Sequence, residues 1–203
     1  MGDTMTIDIQ PLTPDRLSDL ATLFEQGGDP KWCWCTWYRI RNADFSTGST
    51  ASHRAIMEAA VEEGDRIAQA PGLVAYDEDG VVGWVSVGPR ADYERLTHSR
   101  ALAPVDDTPV WSIVCFVVAK RARGQGVARG MLDGAIAYAR THGAPALEAY
   151  PVEVAPGKRI DSANVYKGTL AMFERAGFEV VDRRLAQGAK TTRPIVRLDL
   201  GSG

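Results

Sequence analysis

Only three cysteines, Cys33, Cys35 and Cys115, occur in 203 residues. Three thiols are too few and too oddly numbered for a disulfide framework, so a reducing compartment fits and the cytoplasm is the expected location. Trp34 alone separates Cys33 from Cys35, a spacing that rarely meets disulfide geometry, and the cysteines are expected as thiols. Long apolar runs are missing as well. Nothing approaches the roughly 18 residues of a membrane span, and Met1 to Asp8 lacks the basic and apolar regions of a secretory leader. No membrane partner is expected. Neither sign of charge dominates: Lys+Arg 23 against Asp+Glu 26 leaves a formal net charge of -3, which argues against a nucleic-acid partner. No repeat, low-complexity tract or linker divides the chain. The expectation is one folded domain over residues 1–203, a monomer or homodimer, with a small partner.

What is present reads as a mixed α/β order. Thr6 to Leu12 alternates as a strand, and Thr13-Pro14-Asp15 opens a helix that continues through Leu17, Leu20, Leu23 and Phe24 to Gly27-Gly28. A second helix is expected from Ala51 to Glu63, capped by Ser49 or Thr50. Gly72 to Tyr76 and Val81 to Val87 form a hairpin across Asp79-Gly80. Val110 to Val118 (VWSIVCFVV) is nearly all apolar, as in a central strand buried on both faces. A helix follows from Gly126 to His142, then a strand from Ala146 to Pro151, a helix from Tyr166 to Ala176, and two strands at Phe178 to Asp182 and Ile195 to Leu200. One βαβ unit therefore sits between antiparallel pieces.

The junction inside that unit, Arg121-Ala122-Arg123-Gly124-Gln125-Gly126-Val127-Ala128, carries the strongest chemical signal. Glycines let the backbone bend, and amides at a helix N-terminus are donors without intrahelical partners, so a pyrophosphate fits there. Arg121 and Arg123 add charge-assisted contacts. No Gly-Lys-Ser/Thr follows, which excludes a Walker loop. Arg129 stands where a Rossmann fingerprint needs glycine.

The same turn resembles the R-x-x-G-x-G/A pattern of the GNAT N-acetyltransferase superfamily, as Arg121/Gly124/Gly126 or Arg123/Gly126/Ala128. The resemblance extends to Val81-Val82-Gly83-Trp84, to Val114 to Ala128, and to the late signature Phe173-Glu174-Arg175-Ala176-Gly177-Phe178. Pro89-Arg90, Trp111 and Glu148-Ala149-Tyr150-Pro151 resemble a widespread bacterial subgroup of unassigned acceptor. What the resemblance implies is a central twisted mixed sheet flanked by helices, with acetyl-CoA as co-substrate and an amine as acceptor. Its pyrophosphate would lie on the amides of Arg121, Arg123, Gly124, Gln125, Gly126, Val127 and Ala128, and its pantetheine arm beside Cys115 to Val118. An amide near Phe116, Val117 or Val118 would polarise the thioester carbonyl.

Glu148 and Tyr150 alternate onto one strand face next to the implied thioester, making Glu148 the candidate base, with Glu153 as substitute; the other reading of Glu148 is a salt-bridged carboxylate. Many members of the superfamily carry a tyrosine acid where this chain has Phe173, which cannot donate a proton. Tyr166 stands seven residues earlier, either as acid or as packing for the pantetheine arm. Trp32, Trp34, Trp37 and Tyr38, rimmed by Lys31, Arg39 and Arg41, read as an aromatic acceptor wall or as core. Lys31 to Arg41 reads as a short helix or a packed loop, and alternation would put Trp32 and Trp34 together, with Cys33 and Cys35 opposite. Arg90 is a candidate clamp for an acceptor carboxylate, or a partner of Asp92 or Glu94. Cys115 reads as inert core, and no metal is expected. Direct acetyl transfer to the primary amine of a small molecule is the expected function. A non-catalytic acyl-CoA module and a transferase using longer acyl or carrier-protein thioesters are the alternatives.

Overall fold

The computed structural model describes residues 6–154, 165–185 and 192–201. Residues 1–5 of the expected leaderless start lie outside them. Seven strands join in one sheet: β1 (Asp8–Pro11), β2 (Gly72–Asp77), β3 (Gly80–Pro89), β4 (Trp111–Val118), β5 (Ala146–Ala149), β6 (Glu179–Leu185) and β7 (Thr192–Asp199). Their spatial order is β1-β2-β3-β4-β5-β7-β6, with β4 and β5 parallel and every other pair antiparallel. The parallel pair is joined by α6 (Val127–Thr141), which completes the βαβ unit read from the sequence. The helix buries Val127, Met131, Leu132, Ala135, Ile136 and Ala139, one stripe at helical spacing, against the sheet. Gly83 on β3 makes that contact close: a Cβ there would stand 2.7 Å from Met131 Sδ.

The remaining helices are α1 (Leu17–Glu25), α2 (Pro30–Cys33), α3 (Asn42–Thr47), α4 (Thr50–Arg66), α5 (Glu94–His98) and α7 (Leu170–Glu174). Ser49 caps α4 through a reciprocal box with Ser52, longer than the helix expected. The late helix is shorter than expected. Gly168 adopts φ +72° and Thr169 caps α7 by accepting from the Met172 amide, so Tyr166 lies in a separate 3-10 turn, Val165–Lys167.

Two irregularities open the sheet where function is expected. On β4 a bulge makes Val114 an extra residue: Ser86 faces Cys115, whereas Val87 faces Ile113. A bulge bends its strand and increases local twist. Pairing with β5 covers only Trp111, Ser112 and Ile113, so β4 and β5 part company at the bulge. Tyr38, Tyr93, Leu96, Leu102, Val114, Tyr150 and Ile195 form a separate buried cluster beside this fork.

Candidate active site

Beyond the fork, the edge of β4 leads to the glycine turn. Gly124 and Gly126 have φ +78° and +84°, and Gly126 is the N-cap of α6 with no side chain capping the helix. The α6 amides therefore open outward, and a Cβ at either glycine would meet nothing within 4 Å. The space in front is a cleft of about 350 Å³, lined by Phe116, Val118, Arg123, Gly124, Gly126 and Ala128 among others, with Tyr166 at one end. An elongated, phosphate-ended ligand fits this cradle.

Not every residue of the motif faces it. Arg121 donates from Nη2 to Asp77 Oδ1 at 2.8 Å and pairs through Nη1 with Asp77 Oδ2, tying the turn to the β2–β3 hairpin. That bond holds the Asp77 carboxyl below its usual range and raises the Arg121 guanidinium. Gln125 donates to the Arg121 carbonyl at 2.8 Å, and Val117 is buried in the core. These three shape the turn. Arg123 lines the cleft with its Nε 3.3 Å from the Val118 carbonyl, and Arg129, not singled out from the sequence, lines it too.

Glu148 is 1% exposed and stands directly across β7 from Arg197. Its Oε1 accepts from Arg197 Nη2 at 2.7 Å and Nε at 3.2 Å, and Arg197 reaches on to Asp106 at 2.6 Å. Glu148 Oε2 accepts from the Tyr150 hydroxyl at 3.4 Å. Burial pushes the Tyr150 phenol well above its ordinary range, which keeps its proton in place at neutral pH. Ser112 Oγ is 3.1 Å from the same hydroxyl. The geometry is that of the salt-bridged strand carboxylate, and neither Glu148 nor Tyr150 lines the clefts described here. Glu153, the substitute, pairs with Arg183 at 2.6 Å.

Arg90 is spent in the same network. It donates to the Tyr150 hydroxyl at 2.5 Å and to the carbonyls of Leu96 and Leu102, and lies 3.8 Å from Glu148 Oε2. It fastens the segment after β3 to the fork rather than reaching for an acceptor carboxylate or for Asp92 or Glu94.

A second cleft, of about 550 Å³, is lined by Val114 and Cys115 of β4, the α2 segment and Phe45. Trp32, Trp37 and Tyr38 supply aromatic walls, Asp29 contributes a carboxylate, and Tyr166 closes the end shared with the donor cleft. Burial raises the Tyr166 phenol. Its oxygen is 2.8 Å from where a Cβ on Gly28 would stand. Burial also pushes Tyr38 up to about 12. His53, buried, bonds through Nδ1 to the Trp32 carbonyl at 3.0 Å and stacks on Phe45, which holds this wall in place.

Trp34 does not join that wall. The segment begins as a short helix, one of the two forms expected for it, so alternation does not apply, and Trp34 and Cys35 follow in the left-handed region with φ +46° and +52°. Trp32 consequently faces outward, 41% exposed, while Trp34 is 4% exposed and packs edge-on against Phe24. Trp34→Ala is expected to cost about 3–5 kcal/mol of stability, seen as a lower melting temperature with donor and acceptor KM changed alike. Trp32→Ala should leave the melting temperature in place and raise the acceptor KM alone; equal shifts in both KM values would remove Trp32 from the acceptor site. Asp29, Phe45 and the cysteines were not legible as lining, because a loop, a short helix and β4 meet only in three dimensions. Among the described residues no group of three or more His, Cys, Asp or Glu is arranged to hold a metal ion. No described helix is long and apolar enough to cross a membrane.

An open strand edge beside a glycine-capped helix, with a second cleft that shares Tyr166, is a mixed α/β arrangement with room for two ligands side by side. The acetyltransferase (GNAT) family model matches residues 34–178, and the chain belongs to that family. A GNAT superfamily phosphinothricin acetyltransferase of Sinorhizobium meliloti, solved with acetyl-CoA, has a TM-score of 0.59 at 17% identity, covering 98% of this chain and 91% of that one. The yncA protein of Salmonella typhimurium, solved with its cofactor acetyl-CoA, gives 0.56 at 18% identity over 97% and 95%. These likenesses concern the fold. Comparison with curated proteins finds no match.

Proposed function

We propose that this protein is an acetyl-CoA-dependent N-acetyltransferase, acting as one domain in the reducing cytoplasm. It moves the acetyl group directly to the primary amine of a small molecule with an apolar or aromatic body. The observation that carries this reading is the meeting of the two clefts at Tyr166 beside the unpaired edge of β4. The α6 amides and Arg123 hold the pyrophosphate, and Phe116 and Val118 flank the pantetheine arm. Backbone N–H groups on the open edge of β4 polarise the thioester carbonyl. On the acceptor side the walls are largely aromatic, Lys167 also lines the cleft, and Arg90 is engaged elsewhere. Asp29 receives the acceptor's ammonium and takes its proton. Tyr166, kept protonated by burial, gives a proton to the leaving thiolate in place of the tyrosine that Phe173 replaces; Phe173 itself is fully buried against Phe116 and Phe178.

The test is acetyl-CoA with a panel of arylalkylamines and amino acids, following thiol release together with the mass of the product. Acetylated arylalkylamines are expected. Tight coenzyme A binding with no acetylated amine would make the protein a binding module, and preference for longer acyl or carrier-protein thioesters would move the donor. Tyr166→Phe and Asp29→Asn should each lower kcat by about 10²–10⁴ while leaving the coenzyme A Kd unchanged. Variants with full kcat would clear both residues of proton transfer.

A further inference from the structure

Three thiols converge on the inner wall of the acceptor cleft. Cys33 ends α2, Cys35 follows in its left-handed turn, and Cys115 lies next to the bulge on β4. Cys35 Sγ and Cys115 Sγ are 3.0 Å apart although 80 residues separate them, so movement of about 1 Å brings them to the disulfide bond length. Cys35 is buried, while Cys33 and Cys115 are partly exposed. Two observations thus coincide: a thiol pair at near-bonding distance, and a third thiol beside it open to the cleft.

We propose that Cys35 and Cys115 are a reversible dithiol–disulfide pair that pins the α2 turn to β4 and closes the inner end of the acceptor cleft, with Cys33 as the thiol through which hydrogen peroxide enters. The Cys33 sulfur attacks a peroxide oxygen, the O–O bond breaks and water leaves, giving the sulfenic acid. The Cys35 sulfur then attacks Cys33, forming the S–S bond and releasing the second water. Spacing of two residues strains that bond, and the Cys115 sulfur attacks Cys35, expelling Cys33, which regains a thiol proton from Cys115. In net terms two thiols give two electrons and two protons to one hydrogen peroxide, which leaves as two waters. The Cys35 side chain beside it holds the Cys33 thiol below its ordinary range, which favours Cys33 both as first nucleophile and as final leaving group. Phe116, Val118 and the glycine turn, which form the donor cleft, are not part of this wall.

The experiment treats the full chain with hydrogen peroxide, alkylates the remaining thiols and maps peptides without reduction. Wild type should lose two of its three thiols and two hydrogens of mass, with one peptide joining Cys35 to Cys115, and dithiothreitol should restore both. Cys33→Ser should slow the cross-link at least about tenfold at neutral pH. Cys35→Ser and Cys115→Ala should abolish it, with melting temperatures confirming that each variant folds. Three alkylatable thiols after treatment, a bond between two chains, or a terminal Cys33–Cys35 bridge would overturn the proposal. The consequence for activity rests on the acetyltransferase reading: oxidised protein should keep its coenzyme A Kd and lose amine acetylation. Because the thiol map needs no turnover, failure of the pair and failure of that reading remain distinguishable.

Discussion

Gly126→Glu is expected to abolish acetyl-CoA binding while the protein remains folded. Gly126 caps α6 in the left-handed region at φ +84°, where an L side chain is strained, and its Cβ position faces open cleft, so nothing in the protein core is displaced. The new carboxylate would stand where the helix amides point, filling the anion position with a fixed negative charge. Each charge-assisted hydrogen bond to the phosphates contributes about 1.5–3 kcal/mol. Losing two therefore weakens binding by about 10²–10⁴, since 1.4 kcal/mol is tenfold. Calorimetric titration with coenzyme A checks this, with the melting temperature of the free protein as control. Gly126→Ala carries the same backbone strain without the charge and should lose far less. Wild-type affinity in the glutamate variant would move the phosphate site away from this turn.

Glu148→Ala is expected to be strongly destabilising. It leaves Arg197 and Arg90 facing a buried space with their partner gone, and breaking a buried ion pair in this way costs about 3–5 kcal/mol. For a chain of this size that corresponds to a fall in melting temperature of roughly 6–20 °C. The measurement also separates the two roles that a carboxylate at this position can have. Glu148→Gln keeps the shape and the acceptor oxygen but not the charge. If Glu148 were the base, the glutamine variant would lose kcat and the acidic limb of the pH profile at an unchanged melting temperature. As the anchor of the Arg90–Tyr150–Arg197 network it should instead lose stability and keep its pH profile. Arg197→Ala should reproduce the melting defect, and the double variant should be less destabilised than the sum of the singles, because the two residues share one interaction.

Local chemistry in the chain determined much of the fold by itself. The run from Val110 to Val118 has no polar face to offer water, the glycines after it permit positive φ, and the stripe from Val127 to Ala139 repeats at helical spacing. Each signal acts over a few residues, so β4, the glycine turn and α6 were legible together, as was the hairpin at Asp79-Gly80. Register and side-chain pairing act across the chain and were decided only by tertiary structure. Glu148 met Arg197 because β7 lies antiparallel beside β5, and the ion pair that engages its carboxylate is not legible from the alternation of Glu148 and Tyr150. Arg121 pairs with Asp77, 44 residues away, because the β2–β3 hairpin ends beside the turn. Trp32 and Trp34 parted because tertiary packing made their segment a helical turn closed by two left-handed residues, a conformation that alternating aromatics do not announce. Cys35 and Cys115 came within reach of each other only through the bulge that bends β4 and the turn that carries Cys35 inward, since a contact across 80 residues leaves no trace in the spacing of either cysteine.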